Sequence, residues 1–443
     1  MKRSSKTIML AGQGGVRAMT NLLIAAYLSR QLSEVELGTY RQVLLPSATL
    51  LPVLVLGLPT TLLFFVSKNR ESSKNIWLNN TALLSLIGAL YAAGLLFGGY
   101  HLVTYAFGNP AMAPFLWAAV IIGFVEIATA SFQQCLFATD RYRESALLSM
   151  AFSIGTFLAV LFAFQSSGTL ASVLAAQTAI LLVFLPLRLW RMYAATEGES
   201  GRISRSELRT QLTHGADLGL ATIFGILHKQ LDKLIVAVIA NPLQYAIFSN
   251  GAREVPFVGI VQGAVTNVIL PEMTRDFEEG RIREAHELWK RATLKVSSIL
   301  FPLTAILAVL SEDIVVLVFS EKYRAAGPVF LVYCLCLPAK SISYGSVCIA
   351  AGRNDLVRKG SSIGFIANLV LSMILVIAIG PLGAAIATAL TICFILVPWY
   401  LNKIQRLFRS TVIKVLPWRT LVIYLGLSIA LAVVLGFLRA FLV

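Results

Sequence analysis

The chain alternates long apolar stretches with short polar ones. Apolar stretches fall at 7–29, 42–66, 77–99, 112–137, 145–165, 169–187, 216–240, 243–270, 296–311, 326–350, 361–379, 382–402 and 420–438. Most are near the roughly 20 residues that a helix needs to cross a hydrocarbon core. None alternates with a period of two, so the pattern predicts helices and not strands. The fold class expected is an all-α polytopic membrane protein with thirteen spans. Two polar stretches are longer. Residues 189–215 are rich in Gly, Ser, Arg and Glu and divide the chain near its middle. Residues 274–293 place Phe277, Ile282, Ala285, Leu288, Trp289 and Ala292 near helical spacing, which predicts an amphipathic helix at the inner interface. The expected organisation is an N-terminal lobe of six spans (1–190), a cytoplasmic connector (191–215), a C-terminal lobe of six spans (216–404) and one extra span (405–443).

A short internal repeat agrees with that division. Ala138-Thr139-Asp140-Arg141 precedes Ser153-Ile154-Gly155, and Ala350-Ala351-Gly352-Arg353 precedes Ser362-Ile363-Gly364. The copies lie six spans apart. An even separation keeps orientation, so the two lobes are expected to be related by a pseudo-two-fold along the membrane normal.

Composition supports a membrane protein. Of 443 residues, 57% are hydrophobic and only 13% charged, against about 25% charged in a soluble domain; mean hydropathy is +0.78. The net charge of +15 would fit nucleic acid if it were clustered. It is instead spread over alternate turns: Lys68, Arg70 and Lys74; Arg141 and Arg143; a run from Arg188 to Arg209; Arg353, Arg358 and Lys359. That is the positive-inside distribution. It places these turns and the N-terminus in the cytoplasm, argues against nucleic acid as a partner, and predicts a multi-pass protein of a bacterial inner membrane. The basic residues at Met1–Lys6 are followed by an apolar stretch that continues past Arg17 to Leu28, so it reads as a retained span and not a signal peptide. Five cysteines, Cys135, Cys334, Cys336, Cys348 and Cys393, lie in or beside spans and suggest packing, not a disulfide framework.

Five cations, Arg17, Lys229, Lys233, Arg253 and Lys340, fall well inside spans. Each costs about 2.5–3.5 kcal/mol if it faces lipid, on the order of 15 kcal/mol together. They are therefore expected to face protein or a wet cavity. Three carboxylates, Glu126, Asp232 and Glu254, share the apolar region, so pairing leaves a surplus of two cations. Lys229, Asp232 and Lys233 occupy one helix face; they form either a structural ion-pair knot or a ligand site with a spare ammonium. Arg41, just outside span two, flanks the outer mouth or is a solvated loop residue. Gln13, Asn21, Gln133, Gln134, Gln177, Asn250, Gln262 and Asn368 line a cavity or bond neighbouring helices. Pro46, Pro52 and Pro59, with Gly57, make span two a candidate gate or hinge. No nucleotide-binding loop, zinc motif or catalytic outer loop occurs. No catalytic residue, metal or cofactor is expected, and the chain reads as a transporter and not an enzyme.

Several short motifs, in order, carry a family resemblance. Leu28-Ser29-Arg30-Gln31-Leu32-Ser33 and Leu37-Gly38-Thr39-Tyr40 follow span one. Asp232-Lys233-Leu234-Ile235-Val236, Tyr245-Ala246-Ile247-Phe248, Gly251-Ala252-Arg253-Glu254-Val255-Pro256 and Leu270-Pro271 surround the connection of spans seven and eight. Gly380-Pro381-Leu382-Gly383-Ala384-Ala385-Ile386-Ala387 opens span twelve. Over roughly residues 7–405 the chain resembles the multidrug/oligosaccharidyl-lipid/polysaccharide exporter superfamily, and most its polysaccharide transporter branch. The resemblance implies two six-helix lobes around a cavity that opens alternately to each side. It implies a cargo of undecaprenyl-diphosphate-linked oligosaccharide, flipped from the cytoplasmic to the periplasmic leaflet as Wzx-type flippases do, for O-antigen, capsule or exopolysaccharide. Arg17 and Arg253 would then serve the anionic headgroup, with Lys229, Lys233, Lys340 and Arg41 as further candidates. Related lipid II flippases have fourteen spans, the last two forming a lipid-tail groove; here only 420–438 follows span twelve.

The chemistry agrees independently. Guanidinium groups take diphosphate oxygens with a bidentate fork. A membrane potential, negative inside, favours outward movement of anions by about 2.3 kcal/mol per charge per 100 mV. Glu126, Asp232 and Glu254 are ion-coupling candidates. Partners expected are the lipid-linked oligosaccharide, membrane lipid, and polysaccharide polymerase and chain-length proteins. Two alternatives remain: a cation-coupled multidrug exporter, which would favour acidic cavity residues, and a membrane-embedded polysaccharide polymerase or ligase, which would need an outer catalytic loop.

Overall fold

A computed structural model describes residues 3–198, 203–253 and 255–442. Among these the chain is helical, without a strand. Helices occupy all thirteen positions that the apolar pattern marks. Nine are long and apolar enough to cross a membrane, and the bent pair Glu34–Leu54 and Leu58–Lys68 makes a tenth. The remaining three positions are Arg3–Gln31, Arg205–Ile239 and the pair Pro242–Gly251 and Pro256–Glu278. These carry or adjoin Arg17, Lys229, Asp232, Lys233 and Arg253.

The chain forms two compact units. One comprises Met1–Gln230 with Asn241–Ala246, the other Leu231–Ala240 with Ile247–Val443. Asn241–Ala246 packs with the first unit because Gly38 lets a backbone approach: a Cβ there would lie 2.0 Å from the Pro242 carbonyl oxygen. Arg41 Nη1 donates to the Ala246 carbonyl at 3.1 Å in the same place. Both contacts fall on the Leu37–Tyr40 motif or one residue beyond it.

The internal repeat extends well past its short sequence match. Phe132–Ala138, Tyr142–Ser167 and Leu170–Ala195 recur as Tyr344–Ala350, Asn354–Ile379 and Leu382–Leu407; every boundary is displaced by the same 212 residues, as Ala138 to Ala350 shows. The punctuation recurs too. Asp140 (φ 61) and Gly352 (φ 69) are left-handed, and the next amide closes the helix end in each copy, Arg141 to Leu136 O and Arg353 to Cys348 O, both at 2.8 Å. This is a Schellman-type stop. Gly168 (φ 62) and Gly380 (φ 73) then mark the next turn.

Span two bends by 45° between Pro52 and Pro59, at Leu56 (φ 47) and Gly57 (φ 72). Pro46 and Pro52 remain inside the first half, and Pro59 begins the second. Gly215 and Gly219, one turn apart, press on this break: Cβ atoms there would lie 2.8 and 2.6 Å from Leu56 backbone atoms.

Two polar stretches differ from expectation. The connector is shorter, because one helix continues to Ala195 and the next starts at Arg205. Its first residues are strapped to the turn after span two: Lys74 N donates to Glu197 O at 3.0 Å and Glu197 N to Ser73 Oγ at 2.7 Å. Buried Gln211 then bonds Asn80, which also accepts from Ser131 Oγ at 2.6 Å. The expected interfacial helix 274–293 is instead the adjoining ends of Pro256–Glu278 and Ile282–Val309, meeting at Gly280 (φ 76). Its apolar face is real, but protein covers it. Ala285, Trp289, Phe277, Ile282 and Leu288 pack with Ile404, Phe408, Val415 and Leu416, and His286 stacks on Phe408 at 4.5 Å. The last helix, Trp418–Leu442, joins this unit through Tyr424 against Phe301 and Arg439 against Asp313 at 3.0 Å. All five cysteines are free thiols.

Candidate functional site

In the first unit three helices bring Arg17, Glu126 and Arg188 together. Arg17 lies on Arg3–Gln31. Glu126 is in the last turn of Leu116–Ala128, which ends at a break over residues 129–131. Arg188 lies on Leu170–Ala195. The three interact electrostatically, Glu126 with both guanidinium groups. Among the described residues, none closes into an ion pair within 4.0 Å. Arg188 donates through Nη1 to Thr129 Oγ1 at 3.3 Å and lies over the Phe152 ring at 4.3 Å and the Phe132 ring at 5.8 Å. Gln13, one turn before Arg17, is buried with its carbonyl oxygen unsatisfied, as is that of Gln134.

Arg188 was not among the five membrane cations expected. It falls at the edge of a basic run and one residue past the expected end of span six, so the positive-inside pattern absorbs it. The helix continues through it to Ala195. Pro186, two residues before it in an otherwise apolar stretch, was the available signal.

In the second unit the acid is Asp232. Its Oδ2 accepts a short hydrogen bond from the Tyr333 hydroxyl, and Oδ1 accepts from Lys233 N at 2.7 Å. Thr388 lies beside Tyr333; Thr388 and Ser372 donate to Asn368 Oδ1 at 3.4 and 3.0 Å. Asn368 Nδ2 is buried and unsatisfied. The result is a buried polar cluster built around one carboxylate. Lys229 is exposed and Lys233 partly exposed, and among the described residues neither makes an ion pair. The ion-pair knot is therefore absent: the partner of Asp232 is Tyr333. Arg253 lies 5.6 Å over the Phe319 ring. Lys340 ends the short helix Leu337–Lys340, and its carbonyl accepts from Gln262 Nε2. Glu254 lies outside the described residues.

The other expected lining groups divide. Gln177 donates to Tyr40 OH at 2.6 Å and Gln133 to Ser149 Oγ at 3.3 Å, so both bond neighbouring helices. Asn250 is fully buried. Asn21 is exposed.

A multi-pass, all-helical protein of two units, with charged clusters inside its helices and a three-helix repeat, has the build of a membrane transporter. The family described as "Lipid II flippase MurJ" matches residues 39–443, and the chain belongs to that family. A probable low-salt glycan biosynthesis flippase, Agl15, of Haloferax volcanii is 20% identical over 174 residues, 39% of this chain and 37% of the relative. A probable lipid II flippase MurJ of Rhizobium meliloti is 28% identical over 158 residues, 32% of this chain and 29% of the relative. The chain thus spans about a third of the length of the curated relatives it matches. A solved lipid II flippase MurJ in an inward closed conformation shares the fold: TM-score 0.73 at 14% identity, over 98% of this chain and 97% of that one.

Proposed function

We propose that the protein is a flippase for undecaprenyl-diphosphate-linked oligosaccharide. It carries this cargo from the cytoplasmic to the periplasmic leaflet of a bacterial inner membrane by alternating access, in the synthesis of a surface polysaccharide. Arg17 and Arg253 receive the diphosphate, and Lys229, Lys233 and Lys340 supply further positive charge. Asp232, with its tyrosine-centred cluster, carries ion coupling. The bend of span two at Leu56 and Gly57, flanked by Pro52 and Pro59, works as the hinge.

The observation that carries this reading is that cations within the helices are not neutralised. Arg17, Arg188, Lys229 and Lys233 make no ion pair among the described residues, although a charge left so is costly in lipid. A cationic drug would be repelled by such a set, whereas a diphosphate is held by it. Family membership supports the reading, since both curated relatives are named as flippases, one for lipid II and one for glycan biosynthesis.

The test is export of surface polysaccharide by cells that depend on this protein. Arg17→Ala and Arg253→Ala are expected to abolish export while the protein still inserts at normal levels. Full export by both single variants rejects their headgroup role.

A further inference from the structure

We infer that Arg188 is the second guanidinium of the anion site in the first unit, with Glu126 as the internal counter-ion that a bound diphosphate displaces. This rests on the proposed function and adds a residue to its site.

Arg191 lies one turn further along the same helix. Arg191 closes on Glu144 in a short ion pair, which Arg141 also approaches at 3.6 Å. That is how a structural pair at the inner end of this unit is built. Arg188 has an acid within electrostatic reach, Glu126, yet the two do not close. A guanidinium has five N–H donors; among the described residues one is spent, on the neutral Thr129 hydroxyl at 3.3 Å. Thr129 Oγ1 is itself committed, donating to Val125 O at 2.8 Å, so the hydroxyl is fixed at the helix break as an acceptor for Arg188.

The guanidinium plane is fixed independently by Phe152 at 4.3 Å. Cation–π contact of this kind restrains the group without using its N–H donors. The side chain is thus held in place with most of its hydrogen-bonding capacity unspent, as a preorganised ligand site requires. Arg17 also acts on Glu126 and, among the described residues, likewise has no closed pair. Two guanidinium groups and one carboxylate leave one positive charge over. Two adjacent phosphoryl groups, as in a diphosphate, offer an acceptor set for two guanidinium forks. A monophosphate offers one phosphoryl group and less negative charge, and so holds the pair of guanidinium groups more weakly.

The test uses the purified full-length protein and farnesyl diphosphate, with farnesyl monophosphate as the comparison. Wild type is expected to bind the diphosphate more tightly. Arg188→Gln should weaken diphosphate binding at least tenfold and remove most of the preference. Arg188→Lys should be intermediate, since a point charge replaces the fork. The double variant Glu126→Gln/Arg188→Gln decides between ligand and counter-ion. If Arg188 serves the ligand, the double variant binds diphosphate at least tenfold more weakly than Glu126→Gln alone. If Arg188 exists only to neutralise Glu126, the double variant binds as tightly as Glu126→Gln alone, and the proposal is overturned. Wild-type affinity in Arg188→Gln overturns it as well. Failure of the wild-type protein to bind either compound rejects the proposed function itself, a separate result.

Discussion

Asp232 and Tyr333 allow stability and coupling to be separated. The carboxylate uses both oxygens, one toward Tyr333 and one toward Lys233 N. Tyr333→Phe deletes a hydrogen bond to a charged group, worth about 1.5–3 kcal/mol. Asp232→Asn keeps one carbonyl oxygen, for the tyrosine hydroxyl, and its amide nitrogen cannot accept from Lys233 N. It exchanges one charge-assisted bond for a neutral one worth about 0.5–1.5 kcal/mol and loses the other. Both variants are therefore expected to melt below wild type. Coupling separates them. Asn neither titrates nor balances a cation, so Asp232→Asn should abolish the response to an imposed ion gradient, whereas Tyr333→Phe keeps the acid and should keep the response. The measurements are thermal unfolding in detergent and flipping of lipid-linked oligosaccharide in proteoliposomes under proton or sodium gradients. A full gradient response in Asp232→Asn would refute the coupling role of this acid.

Two other positions test how the fold supports the site. Gly38→Ala places a Cβ 2.0 Å from Pro242 O, where ordinary contact begins at 3.4 Å; the backbones must part, at a cost of about 1–3 kcal/mol. An unchanged melting temperature would contradict that close approach. Asn80→Ala removes the partner of the Ser131 hydroxyl and of Gln211 Oε1, and each abandoned buried group costs about 1–3 kcal/mol. Cleavage of the connector by added protease should accelerate, because Gln211 helps to tie the helix that follows it; unchanged cleavage would show that Asn80 does not restrain it.

The spans were legible because each is a long apolar stretch, and such stretches in a chain of this composition have few alternatives to helices. Helix ends were less legible. Apolarity falls off at the bilayer boundary, while helices continue on polar residues: Leu170–Ala195 runs eight residues past its expected end, and Ile282–Val309 begins fourteen before its expected start. The extension of span six is what concealed Arg188. The apolar face of 274–293 was visible as spacing, but spacing does not say what covers a face. Here the cover is Phe408 and Val415, more than a hundred residues away. Asp232 was visible as a candidate acid; its partner was not. Helical spacing favoured Lys229 and Lys233, and Tyr333, from a helix distant in sequence, took the carboxylate instead.

The 212-residue register lets positions in spans four to six be set against their counterparts. Thr129 corresponds to Ser341, Phe132 to Tyr344, Phe152 to Gly364 and Arg188 to Tyr400. In the first unit Arg188 lies over Phe132 at 5.8 Å. In the second, Tyr400 stacks on Tyr344 at 4.8 Å, and its hydroxyl reaches Val357 O at 3.5 Å. One scaffold contact is thus made by a cation on a ring in one copy and by two rings in the other. The helices pack in both, so the scaffold does not need the guanidinium charge, and a structural purpose for it in the first copy is hard to sustain. Arg188→Tyr combined with Glu126→Gln should therefore give a protein that inserts and melts within a few degrees of wild type, because it copies the second unit and leaves no buried charge unbalanced. It should export nothing. If this variant exports normally, the charge at position 188 has no part in transport; if it fails to insert, the equivalence of the two copies at this contact is wrong.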